Sequence, residues 1–164
     1  MQRVVLMGVS GCGKSSVGAA VSALTGLPYM DGDDLHPAAN VAKMRAGIPL
    51  DDDDRWPWLD LVADALARRA PLIIGCSALR LAYRDRIRAG AGGPVRFVHL
   101  DGSRDVIAAR MAARTHEYMP LSLLDSQLAT LEPPSAAEAL RVDIDQPLAA
   151  IAKAIAADLR KGTP

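Results

Sequence analysis

Apolar residues along the chain alternate between two patterns. Short, nearly unbroken apolar runs occur at "RVVLMG" (Arg3 to Gly8), "PLIIGCS" (Pro71 to Ser77) and "PVRFVHLD" (Pro94 to Asp101). Such runs suit parallel strands covered on both faces. "LPYMD" (Leu27 to Asp31) gives a weaker strand signal, and "RVDID" (Arg141 to Asp145) a last, shorter one. Between them, apolar residues recur at helical spacing. Val17, Ala20, Val21 and Leu24 share a face of Lys14 to Gly26, and Gly26 suits a helix stop. Leu59, Val62 and Leu66 do the same in "WLDLVADALARRA". "SRDVIAARMAAR" opens with Ser103 as a cap and Asp105 in the first turn, and "LAAIAKAIAADLRKG" forms an Ala-rich closing helix. Strands alternating with helices predict an α/β domain with a parallel sheet. No repeat or linker divides the chain, so residues 1–164 read as one domain. Met119 to Pro134 holds three prolines and no strand pattern; it is expected to be less regular and part of a mobile cover.

Composition narrows the class. A chain of 164 residues, half of them apolar, supports a single core and excludes disorder. Nineteen basic side chains balance nineteen acidic ones, without the basic excess of a nucleic-acid binder. No run approaches a membrane span, and "VVLMGV" is too short for a signal sequence. Cys12 and Cys76 make no metal-binding pattern, and a reduced cytoplasmic setting is the plain expectation.

The chemistry starts at "GVSGCGKSS", Gly8 to Ser16. Gly8, Gly13, Lys14 and Ser15 satisfy G-x-x-x-x-G-K-[ST], with a buried strand before and a helix after. Glycines let the loop curl so that backbone N–H groups point inward at phosphate oxygens, and Val9, Ser10, Gly11, Cys12 and Ser16 join the residues expected to hold the nucleotide. The helix starting near Lys14 adds its positive end. Lys14 is placed to reach the β- and γ-phosphates, and Ser15 to ligate Mg²⁺.

Residues beyond the loop separate hydrolysis from transfer. The base-reading and γ-phosphate-sensing motifs of a regulatory GTPase are missing. "LIIGCSAL" ends in Gly-Cys-Ser where a mechanical ATPase carries Asp-Glu. A small kinase is favoured. "MDGDDLHP" (Met30 to Pro37) falls at a strand end, where an open parallel sheet binds ligands. There Asp31 is a candidate to hold Mg²⁺ through water. Asp33 is a candidate to orient an attacking hydroxyl or accept its proton. In "PLDDDDRWPWL" the acids read as a solvated helix cap. Arg55 reads as a bidentate carboxylate grip, and Trp56 and Trp58 as core or wall.

Together, "GVSGCGKS", "DGDDLHPAANVAKMRAGIPLDDDDRWPWL", "CSALRLAYRDRIR", "LLDSQLATLE" and "VDIDQPL" resemble the gluconate kinases of the P-loop, shikimate-kinase-like group, from about Val4 to Leu148. The phosphate loop is shared by many enzymes; the stretch from Asp31 to Leu59 is far more specific. The resemblance implies a three-layer P-loop kinase fold. Its five-stranded parallel sheet has the order 2-3-1-4-5, with helices on both sides and a lid near residues 112–134. It also implies phosphorylation of D-gluconate at its 6-hydroxyl, with ATP and Mg²⁺. Homodimers occur in the family.

Carried onto this chain, the resemblance makes His36, Asn40 and Lys43 partners for gluconate, with His36 read alternatively as a cap before Pro37. Arg55 and Arg84 become candidate carboxylate grips, although Arg84 reads equally as a solvated helix arginine. Arg110 and Arg114, at i and i+4, become lid arginines that stack on adenine or neutralise transferred charge. Gln146 and Pro147 match the loop that closes over adenine. The lid departs from the family's Arg-x-x-His-Phe-Met: in "RTHEYMP", His116 falls one place early and Glu117 stands in its stead, while Tyr118 and Met119 fit the aromatic-Met pair. The rival readings are another small-molecule kinase, acting on shikimate or a nucleoside monophosphate, and a nucleotide-binding module without catalysis.

Overall fold

The structure, a computed structural model, describes residues 1–113 and 120–162. Five parallel strands form one sheet: β1 (Arg3–Met7), β2 (Tyr29–Asp31), β3 (Leu72–Gly75), β4 (Arg96–Asp101) and β5 (Ala139–Asp143), in the order β2-β3-β1-β4-β5. Val4 to Met7 of central β1 are wholly buried, as their unbroken apolar run requires. β5 begins two residues earlier than the apolar pattern suggests. Ala139 and Leu140 extend its ladder beside Phe97 and Val98 directly after the turn at Ser135.

The helices are α1 (Lys14–Thr25), α2 (Ala38–Arg45), α3 (Asp52–Arg69), α4 (Leu81–Gly90), α5 (Arg104–Ala112), α6 (Leu121–Thr130) and α7 (Leu148–Lys161), with a 3-10 turn at Gly32–Leu35. The step from β1 to β2 runs along the sheet in the opposite direction to those from β2 to β3 and from β3 to β4. Right-handed crossovers therefore place α1 on one face and α3 and α4 on the other. The packing agrees: α1 lies against α7, and α3 against α4. The reversal of strand order at β1 opens a crevice at the strand ends, where the glycine loop sits. No helix among the described residues is long and apolar enough to cross a membrane.

Two segments differ from expectation. Leu121–Thr130 is a regular helix with Leu123 and Leu124 buried, rather than irregular chain. Its prolines bracket it: Pro120 stands at the N-cap, where a missing N–H costs nothing, and Pro133 and Pro134 lie beyond the end. The acidic run acts as a cap, as its sequence suggests, but α3 begins within it. Asp51 accepts from Asp54 N–H at 2.8 Å while Asp54 accepts from Asp51 N–H at 3.0 Å, a reciprocal capping box.

Candidate active site

The glycine loop leads from β1 into α1. Gly13, at φ +98°, is the α1 N-cap, a left-handed position that favours glycine and turns the first-turn N–H groups of α1 outward. Gly8 N–H donates to Ser77 O at 3.2 Å, which ties the loop to the end of β3. Val9 and Cys12 are buried beneath it. Lys14 Nζ donates to the carbonyls of Gly8 (2.8 Å) and Val9 (3.1 Å), which fixes the ammonium on the inner rim. A cleft of roughly 360 Å³ opens over the loop, bounded by Ser10, Gly13, Lys14, Ser15, Asp31 and Asp33.

Asp31 works with both oxygens. Oδ2 accepts from Ser15 Oγ at 3.2 Å, and Oδ1 accepts from Asp33 N–H at 2.9 Å, which caps the 3-10 turn. That turn lies hard against β3: a Cβ at Gly32 would collide with the Gly75 carbonyl oxygen. On its other side, Trp58 Nε1–H donates to Gly32 O at 2.8 Å. Trp58 is buried wall, as expected, and Trp56 stands edge-on to Tyr83. Asp33, half-exposed, is thereby held facing the cleft.

A second, narrower cavity adjoins the first and shares Ser10, Lys14, Asp33, His36 and Met44 with it. His36 stacks on Trp58, with ring centroids 4.0 Å apart. Burial, then the nearby Arg55 cation, push its imidazolium pKa down to about 4. Its Nδ1 lies 3.2 Å from Asn40 Nδ2, and an amide N–H₂ can only donate. The ring proton therefore falls on Nε2, 3.8 Å from Asp33 Oδ1. His36 does terminate the 3-10 turn, but its ring also lines both cavities. Arg55 lines the inner cavity; its guanidinium is nearly buried and donates to Tyr83 Oη at 2.9 Å.

Three residues expected to touch substrate are engaged elsewhere. Asn40 is buried and donates to Asp54 O at 2.9 Å as well as facing His36, so it orients the imidazole. Lys43 pairs with Asp54 at 2.8 Å, bracing the capping box and holding the Asp54 carboxyl below its usual pKa. Arg84 is neither a grip nor a solvated arginine. It is buried, and its guanidinium donates to Ala78 O (2.8 Å), Glu132 O (3.0 Å) and Glu138 Oε1 (2.6 Å). It supports from behind the loop whose Ser77 lines the inner cavity. Arg84→Ala is expected to destabilise the fold by about 2 kcal/mol, because it leaves the Ala78 and Glu132 carbonyls without their donor and Glu138 with Arg88 as its remaining cation. Urea unfolding checks this; a loss below about 1 kcal/mol would contradict it.

At the outer end, Arg110 on α5 donates to Ile144 O, and its guanidinium lies near Gly13. Gln146 Nε2 donates to Asp143 O at 2.6 Å, and Pro147 caps α7. Arg110, the β5–α7 loop and the phosphate loop thus converge. Arg114, His116, Glu117, Tyr118 and Met119 lie outside the described residues. Sequence reasoning assigned no role to Gln127, Ser126 or Ser77, which line the inner cavity. "LLDSQLATLE" holds the first two of these, but only the fold brings α6 to the loop.

The AAA domain family profile matches residues 4–134. The thermosensitive gluconokinase of Escherichia coli (strain K12) is 46% identical over 88% of this chain and 80% of its own length. The thermoresistant gluconokinase of the same organism is 42% identical over 96% of this chain and 93% of its own. The chain belongs to the gluconokinase family. Its architecture agrees with a solved member: a gluconokinase from Sinorhizobium meliloti 1021 superposes with a TM-score of 0.90 at 50% identity, covering 98% of this chain and 92% of that one. Gluconokinase membership also accounts for a glycine loop without the GTPase or ATPase sensing motifs. The sheet order implied by the family resemblance is the one observed.

Proposed function

We propose that this chain transfers the γ-phosphoryl group of ATP to the 6-hydroxyl of D-gluconate. The observation that carries this reading is the shared wall: Ser10, Lys14, Asp33 and His36 bound both the phosphate cleft and the inner cavity. A polar acceptor site therefore opens directly onto the donor site. The triphosphate lies against the first turn of α1, whose N–H groups and dipole favour anions. Ser15 Oγ and Asp31 Oδ2, 3.2 Å apart, form a hard-oxygen pair that suits Mg²⁺. That ion commonly takes one or two protein oxygens and completes its shell with phosphate and water. When bound it supplies neutralisation of phosphate charge.

The chain's own groups supply the rest. Asp33 orients the acceptor hydroxyl and takes its proton late in the transfer. Lys14 balances charge growing on the phosphoryl oxygens, Arg110 adds positive charge from the α5 side, and Arg114 is assigned the same charge-balancing role from its sequence alone. His36, with Nε2–H as donor, meets an acceptor oxygen, and Arg55 meets the carboxylate. Leu79, Leu123 and Trp58 give the inner cavity apolar wall that limits water.

ADP release in the presence of D-gluconate, other sugar acids, shikimate or nucleoside monophosphates tests the assignment. Gluconate-dependent release is expected. Preference for another acceptor moves the chain to a different small kinase, and no acceptor-dependent release leaves a binding module. Arg55→Ala is expected to raise the gluconate KM at least about tenfold, since a charge-assisted bidentate contact is lost. An unchanged KM in steady-state kinetics would remove Arg55 from the carboxylate site.

A further inference from the structure

Gln127 joins the two halves of the cleft. It lies on α6, 117 residues from Ser10 in sequence, yet both ends of its amide engage that residue. Oε1 accepts from Ser10 N–H at 2.7 Å, and Nε2 donates to Ser10 Oγ at 3.0 Å. A two-point contact of this kind fixes rotation as well as distance. Ser10 lines both cavities, whereas Gln127 lines the inner one beside Leu123 and Ser126 of the same helix. The spacing between α6 and the phosphate loop is therefore also the width of the acceptor cavity. Elsewhere α6 is held by the packing of Leu123, Leu124 and Leu128, by the exposed ion pair of Asp125 with Arg104 and, just past its end, by Glu132 N–H on Leu79 O, and the first two of these face the core and α5. Neither of these references the helix to the loop itself.

Resting on the function proposed above, we propose that Gln127 is a positioning residue for phosphoryl transfer. By docking α6 onto Ser10, it holds the acceptor wall at one distance from the phosphates. A hydroxyl bound against that wall then stays in line with the group it attacks. Amide chemistry suits the place. A carboxylate would put negative charge beside a triphosphate, and an apolar side chain would leave Ser10 N–H unpaired. Transfer of this kind is sensitive to placement, since an error of about 1 Å can cost about 100-fold in rate.

The test uses Gln127→Met, which keeps the length and removes both hydrogen bonds, with Ser10→Ala and the double variant. Gluconate kcat/KM is expected to fall about 10- to 100-fold in Gln127→Met. ATP affinity measured without gluconate should stay within about threefold, and the melting temperature within a few degrees, because the α1 first turn and the core are untouched. Ser10→Ala, which keeps the N–H···Oε1 half, should fall in between. The double variant should be no worse than Gln127→Met, since both changes remove one contact. A Gln127→Met enzyme within twofold of the parent overturns the proposal. So does a double variant whose loss is the product of the single losses, or a parallel loss of ATP binding and melting temperature. If the unaltered protein turns over no gluconate, the functional reading falls and takes this one with it. Turnover by the unaltered protein with an indifferent Gln127→Met overturns this one alone.

Discussion

Lys14→Ala is expected to lower the rate of phosphoryl transfer by at least about 1,000-fold while the protein stays folded. In phosphoryl transfer most of the catalysis is positioning and charge stabilisation, and a loop lysine meets the charge that develops on the transferring group. The ammonium of Lys14 already rests on the Gly8 and Val9 carbonyls, within the cleft that holds the loop. Removing it leaves those two carbonyls beside an open cleft where water replaces the donor. The stability cost is then about 1 kcal/mol. Steady-state ADP release and thermal melting, measured together, check both halves. Turnover within about tenfold of the parent would contradict the role given to Lys14.

Asp33→Asn is expected to lower kcat by about 100- to 10,000-fold, the range over which a positioned acid or base contributes. The substitution keeps shape and removes the charge proposed to accept the hydroxyl proton. It leaves the local fold alone, because the bond that caps the 3-10 turn uses the Asp33 backbone N–H and the Asp31 side chain. ATP affinity, measured by titration calorimetry, should change little. The opposite result, collapsed ATP affinity with kcat preserved at saturation, would place Asp33 on the donor and not the acceptor.

Much of this site is legible in the sequence alone, and the limits fall along physical lines. The phosphate loop is legible because its function is local: glycines, a lysine and a hydroxyl within nine residues, between a strand and a helix. Asp31 and Asp33 are legible for the same reason, as strand-end residues in a sheet whose strand ends bind ligands. Asn40, Lys43 and Arg84 are not. Each is a polar residue near the site in sequence, and only tertiary packing reveals that it is engaged by Asp54, His36, Ala78 or Glu138. α6 is hidden by its own prolines, which read as breakers when counted and as brackets when placed. Gln127 could not be assigned from sequence, because nothing local to it says that Ser10 is its partner.

The double engagement of Asp31 has a consequence for how substitutions in this enzyme will behave. One carboxylate fixes both the hydroxyl of Ser15 and the backbone of Asp33. The separation between the oxygen proposed to hold the metal and the proposed proton acceptor is thus set inside a three-residue stretch of chain. Changes at Asp31 will therefore disturb donor and acceptor kinetics together, whereas changes at Ser15 or Asp33 will separate them.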